Sequence, residues 1–221
     1  MAAMGDGRRY TLGEEIANCV IHGIGIVLAL AGLGVLTALS RLHGTAYHVV
    51  GCSIFGTTLV LLYTTSTLYH SIPHARAKPV LRALDHSAIF LLIAGTYTPF
   101  SLVNLRGPWG WTLLGVIWTL ALLGIVVRVT LGRRSNAAAV GFYVAMGWTV
   151  VVAIKPLVTH VAPGGVLLLL IGGLVYTAGA AFYLWKRLPY HHAIWHAFVL
   201  LGSIFHFFAI LLYVIPLAGR A

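Results

Sequence analysis

Residues 164–185 read GGVLLLLIGGLVYTAGAAFYLW, 22 positions without a charged side chain. At 1.5 Å of rise per residue, a helix of that length crosses the roughly 30 Å hydrocarbon core of a bilayer. Residues 167–170 are all Leu, so the stretch lacks the apolar–polar alternation of a barrel strand. Backbone groups in lipid must bond within their own segment, which leaves a helix. Pro163 precedes the stretch and Lys186-Arg187 follows it, the usual punctuation of a span that ends at water.

The same reading recurs along the chain. It places spans at 17–40, 47–70, 84–105, 109–128, 137–155, 164–185 and 191–213, with Lys155 and Pro156 near the end of the fifth. The predicted fold is therefore all-α: a polytopic membrane protein built as a seven-transmembrane helix bundle. Residues 1–16 are a short cytoplasmic segment, 17–214 the membrane domain and 215–221 a short tail. Composition agrees, with 60% of residues hydrophobic and 8% charged. A soluble domain of 221 residues could not cover its surface with so few polar groups. The N-terminus shows no secretory pattern, and the first apolar run is too long for a signal-peptide core, so it reads as a retained span.

The formal charge of +10 excludes less than it first implies. A nucleic-acid binder gathers its basic residues on one face, whereas the 14 Lys and Arg here sit in short clusters between apolar runs. Ten of them (Arg8, Arg9, Arg76, Lys78, Arg82, Arg128, Arg133, Arg134, Lys186 and Arg187) fall on one side of the predicted topology. Arg41, Arg106, Lys155 and Arg220 fall on the other. The positive-inside rule then puts the N-terminus inside and the C-terminus outside. Cys19 and Cys52 form no CxxC pair and imply neither a disulfide framework nor a thiolate site.

Chemistry-bearing residues are few. Of four acids, only Asp85 stands at the mouth of a span away from the N-terminal segment. Such a carboxylate costs about 2.5–3.5 kcal/mol at a membrane helix centre and normally has a partner. Arg82 is the plain interfacial one. His70 ends the second span, with Ser66 one turn earlier on the same face. His192 and His196 open the seventh, and their i,i+4 spacing points both rings at one spot. His70 and His74 share that spacing, but Pro73 breaks the helix between them. By topology His70, Asp85, His192 and His196 all lie at the cytoplasmic ends of their helices. Three neutral imidazoles with one open position describe a catalytic zinc site, where a nearby carboxylate orients or deprotonates water.

The other histidines read more plainly. His22, His43, His48, His160 and His206 are expected to be interhelical or interfacial hydrogen-bond partners, and His86 and His191 to neighbour the site. Tyr69, Trp109, Trp111, Trp185, Tyr190 and Trp195 cluster at span ends and predict an interfacial belt. Gly23, Gly25, Gly172, Gly173 and Gly179 permit close helix approach.

Several motifs then carry a resemblance. Glu15, Asn18, His22 and Gly23 come first, followed by Ser66-Thr67-Leu68-Tyr69-His70. Leu84-Asp85-His86 precedes Gly95-Thr96-Tyr97-Thr98-Pro99, and His192-Ala193-Ile194-Trp195-His196 is followed by His206. Together they resemble the hemolysin III family, which belongs with the adiponectin and progestin receptor-like proteins. The resemblance spans essentially the whole chain. It implies seven helices, an intracellular N-terminus and zinc near the cytoplasmic face. His70, His192 and His196 would be the ligands, with Asp85 and Ser66 beside them. The wider superfamily resembles membrane hydrolases of lipid amides such as ceramides, while some bacterial members carry a cytolytic, pore-forming name. The chain begins without the long N-terminal extension of the eukaryotic receptors, so recognition of an adiponectin-like ligand is not among the expectations.

The first expectation is a zinc-dependent hydrolase of a membrane-lipid amide or ester bond, with Zn2+ as cofactor and Asp85 and Ser66 as catalytic residues. It would sit in the plasma membrane, with membrane lipids as partners and no nucleic acid. A pore-forming cytolysin is the alternative, and it requires a homo-oligomer because no span carries a repeated polar stripe. A receptor or regulator of lipid state with structural zinc is the third.

Overall fold

The computed structural model describes residues 10–130 and 136–217. Arg8, Arg9, Arg133, Arg134 and Arg220, which enter the charge count, lie outside the described residues. Within them the chain forms α1 (Leu12–His43), α2 (Ala46–Ser71), α3 (Lys78–Leu102), α4 (Pro108–Thr130), α5 (Asn136–Gly147), α6 (Ile154–His160), α7 (Pro163–Leu184) and α8 (His191–Tyr213). A 3-10 segment, Trp148–Ala153, joins α5 to α6. Seven helical segments among the described residues are long and apolar enough to cross a bilayer, with Ala137–His160 counted as one. The protein is an all-helical, multi-pass membrane protein.

Helix ends follow local chemistry rather than hydropathy. α1 starts at Leu12, five residues before the apolar run, because Thr11 caps it. Its Oγ1 accepts from Glu14 N at 3.2 Å, and Glu14 Oε2 accepts from Thr11 N at 2.8 Å, a reciprocal capping box. α3 starts at Lys78, six residues earlier than its apolar run, with Pro79 in the first turn. Asp85 therefore sits two turns inside α3 and not at its start. The helix ends of α2 at Ser71 obey Pro73, since a residue before proline is pushed out of the helical region. The fifth span is not one helix: it loosens into the 3-10 segment ahead of Pro156.

The helices close into a bundle in which sequence neighbours pack side by side and α1 returns to pack on α8. Buried positions recur at three- and four-residue steps. Asn18, His22, Gly25, Ala29, Gly32 and Leu36 do so on α1, and Cys52, Phe55, Leu59, Leu62 and Ser66 on α2. Gly25 is required by a close approach, because a Cβ there would stand 2.5 Å from the Tyr63 ring. The outer faces are apolar too: Leu122, Leu123, Val126 and Val127 of α4 are each more than half exposed. In water that surface would be an aggregation site, while in lipid it is the expected boundary.

The aromatic belt is only partly as read. Trp109, Trp111, Trp185 and Tyr190 face outward. Tyr69 is buried beside His70 and Lys78, and Trp195 packs on Tyr183.

Candidate metal centre

Four helix ends meet at one end of the bundle. His70 closes α2, His192 and His196 occupy the first two turns of α8, α1 begins beside them, and α3 enters with Asp85. The three histidines are buried, and one ring nitrogen from each lies within 4.8 Å of the others. The His70 ring centroid stands 5.1 Å from that of His192 and 5.0 Å from that of His196. The i,i+4 pairing on α8 places His192 and His196 4.5 Å apart by centroid.

Outer partners orient two of the rings. His70 Nδ1 lies 2.6 Å from Glu15 Oε2 and so donates to that carboxylate. Asn18 Nδ2 lies 3.3 Å from the same nitrogen. His196 Nδ1 lies 2.7 Å from the His22 ring. Among the described residues, these contacts leave His70 Nε2 and His196 Nε2 buried without a protein partner, and both nitrogens of His192 as well. Buried imidazole nitrogens are expensive to leave unmet. Three converging ones, two of them with the other nitrogen held by a neighbour, fit the arrangement of metal-binding histidines, and an all-imidazole donor set suits zinc. The residues present fit the ion.

Asp85 and Ser66 are buried and line, with His192 and His196, a cavity of about 290 Å³. Asp85 makes no ion pair with Arg82 among the described residues. Its Oδ2 lies 3.5 Å from His86 Nδ1, which donates to the Arg82 carbonyl at 2.9 Å. The cavity continues between α3, the broken fifth span and α8 to Leu105 and Leu113 near the far end, and its walls there are apolar.

A model of the haemolysin-III related family matches residues 10–207, which contain all of these groups. The chain belongs to that family. Hemolysin-3 of Bacillus cereus is 52% identical over 206 residues, covering 93% of this chain and 94% of that one. The Hemolysin-3 homolog of Bacillus subtilis is 47% identical over 204 residues, covering 92% and 96%. The human Monocyte to macrophage differentiation factor is similar at 29% identity over 219 residues, covering 94% and 88%.

For this haemolysin-III related protein, the plain readings of several histidines also stand. His22 bonds across helices to His196, and His206 meets Leu169 O of α7 at 3.4 Å. His48 accepts from Thr45 N at 3.0 Å, as a cap. Two participants escaped the sequence reading. Glu15 had no role assigned, although Glu15, Asn18 and His22 share a helical face at i,i+3,i+7. Tyr10 had no signal at all, yet its ring lies 5.2 Å from His192 and covers the cluster from the chain's N-terminal side.

Proposed function

We propose that the protein is a zinc-dependent hydrolase of an amide or ester bond in a membrane lipid, working in the plasma membrane with its histidine cluster at the cytoplasmic side. One observation carries the reading: three buried imidazoles with unmet nitrogens converge, and two of them, His192 and His196, line a largely apolar cavity with a carboxylate on its wall. An apolar cavity suits a lipid chain, and the polar end suits the bond to be cut. Zinc held by His70, His192 and His196 would supply Lewis-acid polarisation of the carbonyl and of water. Asp85 is the base that takes the proton of the attacking water, and Ser66, on the same wall, steadies that carboxylate. Glu15 and His22 hold the ligand rings in register.

Purified protein is expected to carry about one zinc per chain and to lose it in the His192→Ala/His196→Ala double variant. Asp85→Asn should keep the metal and lose lipid-amide hydrolysis by roughly 10²–10⁴-fold. Full zinc retention in the double variant would overturn the ligand set, and undiminished hydrolysis by Asp85→Asn would overturn the base. The name of the Bacillus cereus relative, Hemolysin-3, favours a second reading, an oligomeric pore. In that case, dye leakage from vesicles survives Asp85→Asn and rises steeply with protein concentration.

A further inference from the structure

Several polar side chains line the cavity away from the metal cluster, Thr96, Tyr97, Tyr176 and Thr177 among them, and one of them is a histidine. This is His206, ten residues along α8 from His196 and thus roughly 15 Å deeper in the membrane. The residue is 8% exposed. Its Nε2 faces the Leu169 carbonyl at 3.4 Å, which makes Nε2 the protonated nitrogen. Nδ1 is then a bare acceptor, buried without a partner among the described residues.

Its polar neighbours cannot supply one. Ser203, one turn back on α8, donates to Val199 O at 2.9 Å. The same hydroxyl accepts from Tyr63 and from Tyr176, each at 2.8 Å. Both tyrosine protons are thereby committed, although the Tyr176 ring stands only 5.2 Å from that of His206. The imidazole is also seated firmly against α7, since a Cβ on Gly172 would come within 2.7 Å of Nε2. An unmet acceptor on a residue that lines the cavity selects for a donor carried by whatever fills the space.

We propose that His206 is a specificity-determining residue that accepts a hydrogen bond from a hydroxyl group partway along an apolar chain, so that the cavity favours hydroxylated acyl chains. The assignment rests on the reading of the cavity as a lipid-chain site. A keto group at the same place is itself an acceptor and gains nothing from Nδ1. Only a donor relieves the unmet nitrogen.

The test is competition against a fluorescent acyl probe on the full-length protein in nanodiscs. The competitors are stearate, a mid-chain hydroxystearate and the matching ketostearate. Wild type should bind hydroxystearate about tenfold more tightly than stearate, and ketostearate no more tightly than stearate. His206→Leu should keep stearate affinity and lose the preference, and His206→Gln, which retains an acceptor, should restore part of it. Equal wild-type affinities for stearate and hydroxystearate, or a preference that survives His206→Leu, would overturn the assignment while leaving the lipid-chain reading intact. Failure of wild type to bind any of the three would overturn that reading as well. The wild-type comparison decides the matter even where His206→Leu does not fold.

Discussion

The two nitrogens of His70 have different duties. Nδ1 gives its hydrogen to Glu15 at 2.6 Å, and Nε2 is left facing His192 and His196. The carboxylate fixes the tautomer and makes the ring a better donor to a metal. Replacing Glu15 with Gln preserves shape and a weaker hydrogen bond but removes the charge. We expect Glu15→Gln to fold and to bind zinc about 10–100-fold more weakly, measured by chelator competition. Unchanged zinc affinity would show that Glu15 serves only helix packing. This residue's importance was half legible. Its spacing to Asn18 and His22 puts the three on one face of α1, but spacing does not say that the face meets the end of α2.

Among elements, α8 states its purpose most openly. His192, His196, Val199, Ser203, His206 and Ile210 are buried at alternating steps of four and three, so, against the expectation that no span carries a repeated polar stripe, its inward face is largely polar while its remaining surface is apolar. The fifth span is the opposite case. Its residues read as an apolar run with Lys155 and Pro156 near its end, yet the ladder already gives way at Trp148–Ala153. Tyr97 of α3 repairs the gap: its hydroxyl donates to Gly147 O at 2.5 Å and accepts from Val150 N at 2.9 Å. Freed backbone groups at membrane depth require such partners. Tyr97→Phe is therefore expected to cost about 1–3 kcal/mol of stability, seen as a lower unfolding midpoint in detergent. Zinc content should be unchanged, because Tyr97 lies 12 residues beyond Asp85 on α3. An unaltered midpoint would mean that the broken segment finds other partners.

For the whole molecule, the charge distribution makes a claim about orientation. With ten Lys and Arg on one side of the expected topology and four on the other, the positive-inside rule predicts that the histidine end faces the cytoplasm and the C-terminus the exterior. Reporter fusions after residue 134 and at the C-terminus should report inside and outside respectively. A cytoplasmic C-terminus would break the scheme, since seven spans must leave the two ends on opposite sides. The bundle closes by packing α1 on α8, and this contact brings the first and last helices to the histidine cluster together.

The amino-acid order alone dictated the number and kind of the helices, because crossing lipid is a local requirement that each run of apolar residues meets or fails unaided. It also reached His70, His192 and His196, since an i,i+4 pair and a span end can be read without knowing the packing. What required the folded bundle was everything that depends on which faces meet. Glu15 comes to His70 across 55 positions of sequence, and His22 to His196 across 174. Asp85 turns from Arg82 toward the cavity, and α3 extends two turns beyond its hydropathic start. Hydropathy records how a residue prices water against lipid, whereas hydrogen bonds and van der Waals contacts between helices depend on rotation and depth. Those two quantities exist only once seven helices have packed.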